Sequence, residues 1–194
     1  GLTNSGYEAQ NIALNISRAL KGWFEPRKAV LLSPYYSSMK NSGFYIAPLD
    51  EVRNSADVIV YWGLSRGRAH TKNLARYSLY PRGRCKEKGN LDRVVFTVDV
   101  AENELVRMSR RYLLVEPGTD FLAMETMIKL LRNEKVEDYE GDIAAIQDMV
   151  QYMARAAYGA IFFGLGLSRN GNAVRNVETL MALVKELNQK TRFV

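Results

Sequence analysis

Short apolar runs alternate along this chain with charged or glycine-rich turns, and the spacing of the apolar positions predicts the elements. Between Tyr7 and Lys21, Ala9, Ile12, Ala13, Ile16 and Leu20 recur at three- and four-residue intervals. This predicts an amphipathic helix, with Thr3, Asn4 or Ser5 as its cap and Gly22 as its stop. Ala29–Leu32 reads as a short strand. Ser33–Lys40 then breaks the periodicity, and a brief helix over Leu49–Asn54 leads into the next run. Asp57–Trp62 is nearly continuous and β-branched, the character of a strand buried on both faces of a parallel sheet. Thr71–Leu79 reads as helix until Pro81 and Gly83, and Arg93–Asp99 and Tyr112–Glu116 are further strands. A helix capped by Thr119 or Asp120 runs to Arg132 with Phe121, Met124, Met127, Ile128 and Leu131 on one face. The charged stretch Asn133–Glu140 reads as a linker. After it come a helix carrying Ile143, Ile146, Met149, Val150 and Met153, a strand over Ala160–Phe163 and a last helix over Val174–Asn188.

Strands alternating with helices of this length call for an α/β fold with a mainly parallel sheet covered on both faces. Ligands in such folds collect beyond the carboxyl ends of the strands. The strand ending at Trp62 meets a turn with Gly63, Ser65, Arg66, Gly67, Arg68 and His70, which suits an anionic, nucleotide-like ligand; a plain basic surface loop is the alternative. Asp99 closes a second strand and Asp120 follows Pro117-Gly118-Thr119. Either carboxylate could accept from ribose hydroxyls or a guanine edge, and Asp120 could equally be only a helix cap. Gly164-Leu165-Gly166 ends the last strand, and Arg169, Asn170, Gly171 and Asn172 precede the last helix with donors suited to phosphate. The dinucleotide spacing G-x-G-x-x-G is not met there, since Arg169 stands where the third glycine belongs.

Composition narrows the classes. Hydrophobic residues at 47% and charged residues at 25% describe an ordinary globular chain with a core, and no apolar run approaches the ~20 residues of a membrane span. A cytoplasmic location is expected, with no membrane partner. One cysteine, Cys85, excludes an internal disulfide framework, and one histidine, His70, makes no metal site alone. No Ser/His/Asp triad, P-loop or cysteine-rich zinc pattern is present. The net charge of +6 favours an anionic partner without choosing among phosphorylated cofactors, nucleic acid and acidic protein. Tyr77, Tyr80, Arg76, Arg82 and Arg84 interleave ring and charge as in single-strand binders, but a solvated loop or subunit contact is the stronger reading and nucleic acid is not the expected partner. The opening at Gly1 and the apolar ending Thr191–Val194, which looks like the start of a strand, lead us to expect a piece of a longer protein.

Val58–Gly63, His70, Arg76-Tyr77-Ser78 and Tyr80-Pro81-Arg82-Gly83 fall without a gap onto a run that resembles the B subunit of formylmethanofuran dehydrogenase, a branch of the molybdenum and tungsten pterin oxidoreductases. Gly1–Gln10, Pro117–Asp120 and Gly164–Gly166 resemble motifs of the wider superfamily. The resemblance implies a three-layer Rossmann-like domain over residues 25–135, inserted into a second, incomplete α/β domain made of 1–24 and 136–194. It implies a molybdopterin guanine dinucleotide carrying molybdenum or tungsten, redox chemistry between carbon dioxide and a formyl group, and an archaeal, methanogenesis-related setting with other subunits of such a complex as partners. On this likeness Trp62, Gly63, Ser65 and His70 shape one cofactor pocket. Asp99, Gly118, Thr119 and Asp120 serve the guanosine part, and Gly164, Leu165 and Gly166 approach phosphate or pterin.

The departures are as informative. Ser65-Arg66 and Asp99-Val100-Ala101 replace the family's Asn-Pro and Asp-Pro-Arg, and no cysteine lies between Ala29 and Asp57 where the metal ligand belongs. A 4Fe-4S cluster would need a cysteine set from further upstream. The chain alone is therefore expected to be inactive, with no catalytic or metal-ligating residue of its own. The alternative reading is a scaffolding or nucleotide-binding paralogue that has lost the metal ligand.

Overall fold

Four parallel strands form the centre of the computed structural model, which describes residues 6–23, 29–64, 71–136, 139–168 and 170–194. They are β1 (Val58–Trp62), β2 (Val94–Asp99), β3 (Arg111–Leu114) and β4 (Gly159–Phe163), in the spatial order β3-β2-β1-β4. In register, Val60 lies between Phe96 of β2 and Ile161 of β4. The expected α/β class with a parallel sheet is what the chain forms, and residues on both sides of position 136 contribute to this one sheet.

The apolar run of β1 works because both sheet faces are covered. Side chains alternate across a strand, so Val58, Val60 and Trp62 join the core built on α5 (Asp120–Leu131), α6 (Ile143–Met153) and α7 (Ala173–Leu187). Ile59 and Tyr61 join the opposite core with Val52 of α3 (Leu49–Ser55), Leu74 and Leu105. All five β1 residues are buried, and each large side chain so placed contributes roughly 1.5–3 kcal/mol of transfer free energy. Met124, Met127, Met149 and Met153 are fully buried in the first core, as filler between helix and sheet.

The amphipathic helix at the amino end forms as α1 (Tyr7–Ala19), but it buries none of its residues: Ile12, Ile16 and Leu20 are exposed. The proposed caps Thr3, Asn4 and Ser5 lie outside the described residues. Thr71–Leu79 is helical as expected, but after Thr71–Asn73 (α4) it widens into a π-helical turn over Leu74–Ser78, where the Tyr61 hydroxyl donates to Ser78 Oγ at 2.7 Å.

One element differs in kind. Ala29–Leu32 is not a strand, and Ser33–Lys40 is not irregular. Together they form α2 (Ala29–Ser42), which runs through Pro34. Four apolar residues carry no period, so the run alone cannot separate strand from helix. Proline in a helix interior removes one hydrogen bond, and here tertiary contact compensates. α2 packs on α7, Pro34 and Ser38 are buried, and the Tyr35 ring stacks on Phe163 at 5.5 Å between centroids. At the other end, Phe193 bridges Gly159, and Ile161 N–H donates to Val194 O at 2.8 Å, so the last residues begin along the outer edge of β4 as their apolar character suggested.

Candidate functional site

At the carboxyl ends of the strands, a cavity of about 230 Å³ is lined by Gly63, Asp99, Val100, Pro117, Gly118, Asp120, Gly166 and Asn170. Five of the expected site residues thus meet in one place: Gly63 after β1, Asp99 at the end of β2, Gly118 and Asp120 after β3, and Gly166 after β4.

The glycines are there for the backbone. Gly63 has φ +58°, and a Cβ on Gly164 would stand 2.5 Å from Gly63 O, one on Gly166 2.8 Å from the same atom. The turns after β1 and β4 therefore touch main chain to main chain, which only glycine permits. Their amides are engaged within the protein: Gly63 N donates to Val98 O, Gly164 N to Trp62 O and Gly166 N to Gly63 O. Two of the three G-x-G amides, those of Gly164 and Gly166, are thus held within the fold. The same holds for the asparagine donors. Asn172 donates through Nδ2 to Gly118 O at 3.0 Å and through N–H to Asn170 Oδ1 at 3.0 Å, and Asn170 Nδ2 donates to Gly166 O at 3.5 Å.

The two carboxylates differ. Asp99 is buried and has both oxygens in use: Oδ1 accepts from Val100 N–H at 2.8 Å and Oδ2 from Asn103 Nδ2 at 2.9 Å. Asp120, the first residue of α5, is 4% exposed, and its Oδ1 accepts from Trp62 Nε1 at 2.8 Å. Neither expected side-chain cap of α5 forms. Thr119 stands at the cap position, but its hydroxyl donates back to Glu116 O. Burial pushes the Asp120 carboxyl above the ordinary carboxylate range; the Trp62 hydrogen bond opposes this and the Asp99 charge adds to it.

Trp62 is completely buried and does not line the cavity; it touches the site through Asp120. Thr119, Gly164 and Leu165 are adjacent but also do not line it. Ser65 and His70, with Arg66, Gly67, Arg68 and Arg169, lie outside the described residues. The sequence reading missed Asn176, which is fully buried on the apolar stripe of α7. It accepts from Phe121 N–H through Oδ1 and donates to Leu167 O through Nδ2, joining α5 to the turn after β4. A polar residue between Ala173, Val177 and Leu180 at helical spacing was the available signal.

A second cavity, about 380 Å³, opens at the amino ends of the strands beside Asp57, Asp92, Arg110, Asp148, Gln151 and Arg155. It is larger and more charged, yet its carboxylates are committed. Asp57 accepts from Ala157 N–H at 2.9 Å and Tyr158 N–H at 3.1 Å and lies 3.8 Å from Lys86 Nζ. Asp148 pairs with Arg110 and Arg111, and Asp92 accepts from Lys88 N–H. Cys85 belongs to this end: its N–H donates to Asn54 O, just before β1, and its side chain is exposed. Among the described residues, no group of three or more His, Cys, Asp or Glu could hold a metal ion. No helix among them is long and apolar enough to cross a membrane.

No protein-family model matches the chain. It is 31% identical over 170 residues to the B subunit of tungsten-containing formylmethanofuran dehydrogenase 2 of Methanocaldococcus jannaschii, a match covering 85% of this chain and 39% of that protein. The protein of the same name from Methanococcus maripaludis is 25% identical over 197 residues, covering 100% of this chain and 45% of that protein. The chain thus spans less than half the length of these curated relatives. Among solved structures, the formyltransferase/hydrolase complex FhcABCD from Methylorubrum extorquens, in complex with methylofuran, superposes with a TM-score of 0.73 at 17% identity, over 98% of this chain and 50% of that one. Acetylene hydratase from Pelobacter acetylenicus superposes with a TM-score of 0.64 at 12% identity, over 86% and 26%. At these identities, both structural matches speak for the fold.

Proposed function

Because this chain is a homologue of the formylmethanofuran dehydrogenase B subunit along most of its length, we propose that it is the nucleotide-binding part of a protein of that kind, holding the guanosine end of a molybdopterin guanine dinucleotide. The observation that carries this reading is the cavity at the carboxyl ends of the four strands, where two buried carboxylates stand beside glycine backbone. Carboxylates accept from the N–H groups of a guanine edge, and side-chain-free backbone lets a flat base or ribose come close. Asp120 is the acceptor we assign to that contact, with Asp99, Gly63, Gly118 and Gly166 shaping the pocket around it. Arg66, Arg68 and His70, which follow Gly63 in the sequence, are the basic residues we assign to the phosphates.

The residues do not fit the metal end of the group. The only cysteine lies at the opposite end of the sheet, and the segment expected to carry a ligand is α2, whose Tyr35 hydroxyl donates to Gly164 O at 3.2 Å. We therefore derive no redox step from this chain. That arrangement also favours a second reading, a paralogue that scaffolds a multi-subunit complex with the fold intact and the metal ligand gone. The relatives are named as one subunit of an enzyme and a neighbouring fold occurs in a named complex, so both readings include partner subunits.

The test is the nucleotide and metal content of the full-length protein purified from its native source with its partners. Guanosine monophosphate released by acid hydrolysis is the expected result. Nucleotide without tungsten or molybdenum would fit a pterin-binding relic, and metal with nucleotide a working centre ligated from elsewhere. The absence of both nucleotide and metal would overturn the nucleotide reading in favour of the scaffold.

A further inference from the structure

The indole of Trp62 ends β1 on the sheet face that packs against α5, α6 and α7, and none of it reaches solvent. Its one polar atom, Nε1, donates to Asp120 Oδ1 at 2.8 Å. Were the carboxylate to rotate away, this donor would be left buried without a partner, which proteins avoid. The indole therefore fixes the carboxylate, and it consumes one oxygen in doing so. Asp120 lines the cavity, its carboxylate met by the indole N–H and by its own backbone N–H, whereas Asp99 has already given both of its oxygens to its own turn.

We propose that Trp62 is a positioning residue for this site: its indole N–H holds the Asp120 carboxylate in place as the acceptor offered to an N–H donor on the base edge of a nucleoside ligand. Asp99 in turn shapes the rim. This rests on the nucleotide reading above. Asp120 must be ionised to act as an acceptor only. Among the described residues, the charged group facing it is Asp99, from the end of β2. Asn170 and Asn176, from the turn before α7 and from α7 itself, are neutral. Arg175 of α7 is turned to Glu125, with its guanidinium 3.7 Å from the centre of the Phe121 ring. The indole N–H favours the charged carboxylate, so its removal pushes the acid limit of ligand binding to higher pH.

The experiment titrates guanosine monophosphate and adenosine monophosphate against the full-length protein and its Trp62→Phe and Asp120→Asn variants across pH 4–8. We expect Asp120→Asn to abolish the preference for guanosine monophosphate. We expect Trp62→Phe to weaken its binding about tenfold at pH 7, which is ~1.4 kcal/mol, and to move the acid limb upward. A merely structural role for the tryptophan would lower Tm and leave that limb in place, and such a result overturns the proposal. Should Trp62→Phe fail to fold, the indole N–H resonance of the unmodified protein decides, with the fully exposed Trp23 as internal reference. A Trp62 signal that titrates with the acid limb and shifts on addition of guanosine monophosphate supports the coupling, and one that does neither overturns it. Failure of the unmodified protein to bind guanosine monophosphate, with the Trp62 signal still titrating, overturns the nucleotide reading while leaving the indole–carboxylate coupling intact.

Discussion

The two ends of the sheet carry comparable numbers of acids and very different chemistry. At the amino end, Asp57, Asp92 and Asp148 surround the larger cavity, yet each is answered by backbone amides or a basic side chain. Arg93 is buried there and donates through Nη1 and Nη2 to the carbonyls of Leu79, Pro81 and Arg53. At the carboxyl end the cavity is smaller, and the Asp120 carboxylate is met by the Trp62 N–H and its own backbone N–H, with no ion pair to a basic side chain among the described residues. A charged pocket becomes a candidate site through a carboxylate that no cation answers, and neither volume nor total charge measures that. The amino end is a structural clamp between α3, the loop after α4 and the turn into β4. The carboxyl end is the proposed receptor.

Four substitutions test this contrast, taken from the largest expected effect to the smallest. Gly164→Ala places a methyl 2.5 Å from Gly63 O, with main chain on the other side, so the two turns must separate. A loss of about 3 kcal/mol or more is expected in denaturant unfolding, together with loss of nucleotide binding. A mild effect would mean that the turns are not in contact. Asp57→Ala, at the amino end, removes the acceptor of two backbone N–H groups. It should cost about 2–3 kcal/mol of stability and leave nucleotide affinity in the folded protein unchanged; altered affinity would erase the distinction between the ends.

Asp120→Asn should do the reverse. A carboxyl whose folded-state pKa is raised above its ordinary value of 3.8 contributes stability below that value and loses it as pH rises through the folded-state pKa. Removing the charge therefore raises Tm at pH 8. The gain fades as pH approaches 4, while the preference for guanosine monophosphate is lost throughout. Thermal melts at the two pH values check the sign, and an equal shift at both would show that the charge is not the cause. Lys86→Ala, finally, deletes a contact at 3.8 Å to an Asp57 already held by amides, and about 0.5 kcal/mol is expected. A larger loss would make the lysine, and not the amides, the holder of that end.

Much of this was legible in the chain. The runs Asp57–Trp62, Arg93–Asp99 and Ala160–Phe163 are strands because their unbroken apolar character suits a sheet covered on both faces, and the structure keeps them within a residue or two. That Gly63, Asp99, Gly118, Asp120 and Gly166 come together was legible because strand ends in such a sheet converge. What could not be read were the places where tertiary contact outranks local preference. α2 crosses Pro34 because α7 and Phe163 provide a surface for it. The roles of Trp62 and Asn176 depend on partners 58 and 55 positions away, across elements whose docking no local pattern encodes. The glycines were read as an approach for a ligand and are also, first of all, an approach for another stretch of backbone.

That contact has a dynamic consequence. With Gly63 O receiving Gly166 N–H while Gly63 N–H and Gly164 N–H are held by Val98 O and Trp62 O, the turns after β1 and β4 share one set of hydrogen bonds and have no side chain between them to yield. Neither turn can open alone. The amides of residues 63, 164 and 166 should exchange with deuterium at a common rate, as one cooperative unit, so that slow opening of the floor beneath the cavity is a single event.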